Sequence, residues 1–171
     1  TLRRRLERGP LRGDEAIAIG GDLARGLQAA HSAGVVHRDL KPGNVMITSE
    51  GQVRILDFGL AKRAVEPGSA SDLTGSGIVL GTLPYMSPEQ ARGEEVDART
   101  DLWSLGVMLY EMLAGVSPFH AGSAAATLAR IMTVEPPPLH ELRPDAPPGV
   151  VRAVEHLLVK DRDRRLRDAE S

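Results

Sequence analysis

The sequence predicts an α+β fold that is mainly α-helical, with its β structure confined to short hairpins beside one loop. Three observations carry this. Apolar residues recur at helical spacing through residues 14–33, and helical stretches follow near 100–114, 123–133 and 149–159. Three brief β-type runs fall between residues 35 and 56. A turn sequence, Ser49-Glu50-Gly51-Gln52, joins the last two of these runs.

Each element has its own signal. Residues 1–12 carry five Arg against one Glu and end near Gly9-Pro10, which reads as a short surface helix with a solvated basic face. From Asp14 to Ala33 the residues Ala16, Gly20, Leu23, Leu27 and Ala30 share one helical face, with Asp14 as N-cap and Gly34 as stop. The β-type runs are Val35-Val36, Val45-Met46-Ile47 and Val53-Arg54-Ile55-Leu56. Residues 57–89 are Gly/Ser-rich and unpatterned, and a loop of that length inside a compact domain is more often functional than not. The Pro-rich stretch from Glu135 to Pro148 reads as an extended connection between the last two helices.

Composition narrows the function classes. At 171 residues and 42% hydrophobic, the chain has the length and apolar content for one packed domain. A net charge of −2 gives no global case for nucleic acid or an anionic membrane as partner. With no cysteine, disulfides and thiolate metal sites are excluded, and a cytoplasmic location is expected. The apolar stretch from Leu102 to Val116 is interrupted by Ser104 and Glu111 and is too short to span a bilayer, so no membrane segment is expected. The five histidines lack metal-ligand spacing. His31 reads as structural, and His120, His140 and His156 are scattered.

The chemistry lies between the β-type runs. His37-Arg38-Asp39-Leu40-Lys41-Pro42-Gly43-Asn44 precedes the second run, and Asp57-Phe58-Gly59 follows the third. Phosphoryl transfer to a hydroxyl needs a carboxylate to orient the hydroxyl and accept its proton, a cation for the γ-phosphate, and oxygen ligands for Mg²⁺. Asp39 meets the first need, Lys41 the second, and Asn44 with Asp57 the third. The hairpin returns the chain so that Asp57 faces Asn44.

HRDLKPGN, then DFG, then GTLPYMSPEQ together resemble the catalytic, metal-binding and activation segments of eukaryotic-type (Hanks-type) Ser/Thr protein kinases, with wording most similar to the bacterial branch. The resemblance continues through Asp101-Leu102-Trp103-Ser104-Leu105-Gly106 to Lys160-Asp161 and Arg165, and so covers nearly the whole chain. It implies the large, C-terminal lobe of the kinase fold over residues 1–171, with ATP and Mg²⁺ (or Mn²⁺) as cofactors and Ser/Thr-bearing proteins as substrates. By the same resemblance Asp39 is the catalytic base, Lys41 the γ-phosphate contact, Asn44 and Asp57 the metal ligands, and Met46 the floor under adenine. His37 packs against Phe58. Thr82 contacts Asp39 or Lys41. Asp101 anchors the catalytic-loop backbone from below, and Glu89 pairs with Arg165. Arg38 makes the chain an RD-type kinase, and Thr74 and Ser76 fall where bacterial relatives phosphorylate themselves. Gly43 departs from a common acidic residue, which puts a preference for basic substrates in doubt.

The sequence holds no glycine-rich G-x-G-x-x-G loop and no strand lysine upstream of Asp39. The resemblance therefore implies a separate small lobe, acting in cis, and an isolated chain without kinase activity. The alternative class is a non-catalytic, kinase-like binding module. Intact Asp39, Asn44 and Asp57 argue against it, because a scaffold has no chemical need for all three.

Overall fold

The computed structural model describes residues 1–58 and 82–169. Its first long helix, α2 (Gly13–Ser32), follows a one-turn α1 (Leu2–Leu6). The buried stripe of α2 is Ala16, Ile19, Gly20, Leu23 and Leu27, the helical spacing expected of a half-buried helix. The start differs from the expectation. Arg12 occupies the cap position without a side-chain cap bond, and Asp14 sits inside the first turn, paired with Arg12. An acidic group there meets the partial positive charge of the helix start, which makes the first turn as natural a place for Asp14 as the cap. The stop falls as expected: Gly34 takes φ +74°, a left-handed backbone that favours glycine.

The β structure is smaller than the three runs suggested. Among the described residues only β1 (Val45–Ile47) and β2 (Val53–Ile55) pair, antiparallel, with Val45 opposite Ile55 and Ile47 opposite Val53. Val35 instead closes the end of α2, donating its N–H to Ala30 O at 2.9 Å. Its side chain is 43% exposed. β-branched residues favour a strand only where a neighbouring strand accepts the ladder.

The centre of the molecule is α4 (Ala98–Ala114), buried continuously from Thr100 to Leu113. A helix apolar nearly all round must be covered on several sides. α2 lies on one side and α7 (Pro148–Leu157) on another. Both approaches run over glycines. A Cβ on Gly20 would stand 2.6 Å from Leu109 Cδ2, and one on Gly106 would stand 2.7 Å from Leu157 Cβ. α4 stops at Gly115, again left-handed at φ +77°.

Beside it, Trp103 stacks on Phe119 with ring centroids 5.2 Å apart. The Lys160 ammonium lies 4.6 Å from the Phe119 centroid and donates to Ile131 O, near the end of α5 (Ala124–Thr133). The Pro-rich connection is less extended than expected: it holds the one-turn α6 (Leu139–Leu142) and then a turn in which Ala146 donates its N–H to Arg143 O at 3.0 Å. The last part of the stretch read as a loop over 57–89 holds a 3-10 turn (Leu83–Tyr85) that leads into α3 (Pro88–Ala91). Pro84 is the second residue of the 3-10 turn and Pro88 the first of α3, each supplying a preset φ where no N–H is needed.

The basic start is not uniformly solvated. Arg3 reaches both Glu111 and the Tyr85 hydroxyl, and Tyr85 donates to Glu111 in turn. Burial, and then the Glu111 carboxylate, push the Tyr85 hydroxyl well above its ordinary pKa. Arg5 forks onto Glu15 at 2.9 and 2.8 Å. Arg4 and Arg8 remain exposed.

Candidate active site

The loop between α2 and β1 is organised by a buried carboxylate. Asp101, in the first turn of α4, is fully buried and accepts the backbone N–H of His37 and of Arg38, each at 2.8 Å. His31 Nε2, from the last turn of α2, lies 2.8 Å from the same carboxylate. Three donors thus converge on one charge, the arrangement that makes burying a carboxylate affordable.

His37 is fully buried and both ring nitrogens are used by backbone. Nε2 lies 2.9 Å from Leu56 O and must donate, so Nδ1 accepts the N–H of Asp39 at 3.2 Å. Its ring packs on Phe58, tilted by 56° with centroids 5.0 Å apart. With both nitrogens committed, His37 holds the loop's shape and has no free atom for proton transfer.

Asp39 is half-buried, and its Oδ2 lies 2.8 Å from Lys41 Nζ. The same ammonium donates to Thr82 Oγ1 at 2.8 Å, so the end of the long loop is tied to the catalytic-type loop through one cation. Asn44 Nδ2 donates to Asp39 O at 3.0 Å. This fixes the amide's orientation and leaves its oxygen for a cation. Asn44 O accepts the N–H of Leu56 at 2.8 Å, which brings Asp57, the next residue, back to the same side of the hairpin. Asp57 is exposed and takes a left-handed φ of +55°. Strain of this kind in a non-glycine residue concentrates at functional sites.

An amide oxygen and a carboxylate are hard donors that suit Mg²⁺, which keeps several waters and needs few protein ligands. Among the described residues, no group of three His, Cys, Asp or Glu could hold a metal ion. The donor chemistry fits magnesium and not zinc. Met46, on β1, is 38% exposed, while its neighbour Val45 is buried.

Glu89 in α3 and Arg165 are both buried and face each other, with Nη1 to Oε1 at 2.8 Å and Nη2 to Oε2 at 3.0 Å. Arg165 spends its remaining donors on the carbonyls of Val159, Arg99 and Lys160, and Thr100 donates to Glu89. Burial alone would raise the Glu89 carboxyl. The hydrogen bonds and charge of Arg165 outweigh it and hold the group below the usual carboxylate range.

Asp39, Lys41, Asn44 and Thr82 are therefore linked by direct hydrogen bonds, and His37, Phe58 and Asp101 frame them. Thr74 and Ser76 lie outside the described residues. Two participants were not legible as site residues. His31 reads as a structural helix residue, and its partner lies 70 positions away. Gln90 fits a capping-box pattern with Ser87, a signal for a helix start and not for a contact with the loop.

A family model described as the protein kinase domain matches residues 1–170. Serine/threonine-protein kinase PknA of Mycobacterium tuberculosis is 50% identical over 143 residues, 84% of this chain and 32% of that protein. Serine/threonine-protein kinase pkn3 of Myxococcus xanthus is 41% identical over 155 residues, 88% of this chain and 28% of that protein. Serine/threonine-protein kinase PknB of Mycolicibacterium smegmatis is 39% identical over 161 residues, 94% of this chain and 25% of that protein. The chain spans about a third or less of the length of these relatives. Its described residues are mostly helical with one two-stranded antiparallel sheet, as a kinase large lobe is expected to be. The chain belongs to the protein kinase family, in the Hanks-type serine/threonine branch that its bacterial relatives represent.

Proposed function

We propose that this chain carries the large-lobe half of the active site of an ATP-dependent protein Ser/Thr kinase. The observation that carries the reading is the chain of contacts Asp39–Lys41–Thr82, two bonds of 2.8 Å on a loop pinned by the buried Asp101. Asp39 would orient a substrate Ser or Thr hydroxyl and take its proton as the oxygen attacks phosphorus. Lys41, held in place by Thr82, offsets negative charge at the transferring group. Asn44 and Asp57 offer oxygen atoms to Mg²⁺ or Mn²⁺, and Met46 offers an apolar floor to adenine. Bound Mg-ATP supplies the phosphoryl group and a leaving ADP. The remaining enclosure of the nucleotide is assigned to a small lobe bearing a glycine-rich loop and a lysine, acting in cis. Residues 1–171 alone should accordingly hold Mg-ATP weakly and turn over nothing.

Control is assigned to Arg38, Thr74 and Ser76. A guanidinium beside the catalytic-type aspartate suits bidentate capture of a phosphate, and a phosphate on either hydroxyl would bring one within the same loop system. Dependence on ATP and the lack of cysteine suit a cytoplasmic site of action. No described helix is long and apolar enough to cross a membrane.

The test is incubation of this chain together with its small lobe, with γ-labelled Mg-ATP and a mixture of unrelated proteins. Phosphoserine or phosphothreonine should form with the wild type and be absent with Asp39→Asn. A wild type that transfers no label, or a variant that transfers it equally well, contradicts the reading. Mass spectrometry of the enzyme from the same reaction reports on Thr74 and Ser76.

A further inference from the structure

We propose that Gln90 is a positioning residue for Asp39, an inference that rests on the kinase reading above. Arg38, just before Asp39, holds a left-handed φ of +66°. A non-glycine residue in that conformation is costly and persists only where its surroundings fix it. Asp101 fixes its N–H from below at 2.8 Å. Its carbonyl is fixed from the other side, where Gln90 Nε2 donates to Arg38 O at 2.8 Å.

The consequence follows from peptide geometry. Arg38 O and the N–H of Asp39 belong to one planar unit. That unit is held at its oxygen by Gln90 and at its nitrogen by His37 Nδ1. Rotating it would swing the Asp39 side chain away from Lys41. Gln90 itself has little freedom. Its Oε1 accepts the N–H of Ser87 at 3.0 Å, so the nitrogen end of the amide must face Arg38. Its own N–H is taken by Ser87 Oγ at 3.3 Å. The adjacent Glu89 is clamped by Arg165. Arg38, Asp39, Thr82 and Gln90 also border one small cleft. Gln90 is thus a direct connection between the end of the long loop and the backbone that aims Asp39, and displacing α3 would misplace the carboxylate without touching it.

A capping role alone predicts something different, so two variants separate the two. Gln90→Met keeps the side chain's length but removes the donor. Ser87→Ala breaks the cap but leaves the Gln90 amide beside Arg38. With this chain and its small lobe intact, Gln90→Met should lower kcat about tenfold while KM for Mg-ATP changes less than about twofold, because misplacement of a reacting group acts on the chemical step. Ser87→Ala should keep kcat within about twofold even where the melting temperature falls. The inference fails if Gln90→Met keeps wild-type kcat, or if both variants lose kcat alike. A wild type without phosphotransfer overturns the kinase reading and this inference with it, whereas an active wild type with an equally active Gln90→Met overturns the inference alone.

Discussion

Arg165 grips Glu89 with two parallel hydrogen bonds of 2.8 and 3.0 Å across 76 positions of sequence, and neither side chain is more than 1% exposed. Removing one member of such a pair leaves the other as a buried, unpaired charge, which costs on the order of 3–5 kcal/mol. Arg165→Ala should therefore lower the melting temperature by roughly 10 °C in a domain of this size. Arg4→Ala, at an exposed position, should leave it nearly unchanged. Equal melting temperatures for the two variants would show that the pair holds nothing together.

The same pair makes stability depend on acid in a defined direction. The folded Glu89 carboxyl is held below its ordinary value of 4.5 by Arg165, with Thr100 contributing. A depressed carboxylate stabilises the fold above the unfolded value, and that contribution is lost as pH falls through the folded one. Wild type should therefore melt well above Glu89→Gln at pH 7, and the gap should narrow on acidification below about 4.5. Other acid-sensitive pairs, such as Asp97 with Arg99, are common to both proteins and cancel in the difference. A gap that stays constant from pH 7 to strong acid would remove Glu89 as its source.

Close packing at α4 gives a test of the fold that is independent of charge. A methyl group on Gly106 would stand 2.7 Å from Leu157 Cβ and 3.1 Å from Leu158 Cδ2. Gly149, in the first turn of α7, has nothing within 4 Å. Alanine is favoured over glycine in helices by about 1 kcal/mol, so Gly149→Ala should be neutral or slightly stabilising. Gly106→Ala should instead destabilise by about 1–3 kcal/mol, because overpacking against α7 outweighs the helix preference. Chemical denaturation of both variants decides it, and a stabilised Gly106→Ala would mean that α7 does not pack as described.

Local pattern made much of this legible. The helical spacing from Ala16 to Leu27 identified the buried face of α2, and the turn before Val53 identified the hairpin. The HRDLKPGN and DFG segments pointed to the candidate site because residues of these types at this spacing suit phosphoryl transfer. Asp101 as the loop's anchor and the Glu89–Arg165 pair were readable only through resemblance. What escaped depends on partners far along the chain. Arg3 reads as part of a solvated basic run, yet it bonds Glu111, 108 positions on. Val35-Val36 has strand composition but no strand beside it among the described residues. Gln90 shows its cap pattern in sequence, while its bond to Arg38 exists only once α3 is docked against the loop.

The most direct test of the central claim separates nucleotide binding from turnover in two carboxylate variants. In the proposed function Asp39 serves the reacting hydroxyl and Asp57 the metal, and Asn44 links the two segments by donating to Asp39 O and accepting the N–H of Leu56. Mg-ATP affinity and kcat should be measured for Asp39→Asn and Asp57→Asn in the kinase domain that contains this chain. We predict that Asp39→Asn binds Mg-ATP within about twofold of wild type while kcat falls by about 10²–10⁴. Asp57→Asn should lose turnover together with magnesium-dependent affinity. Near-normal turnover in either variant, or an Asp39→Asn whose defect lies in ATP binding alone, would contradict the assignment.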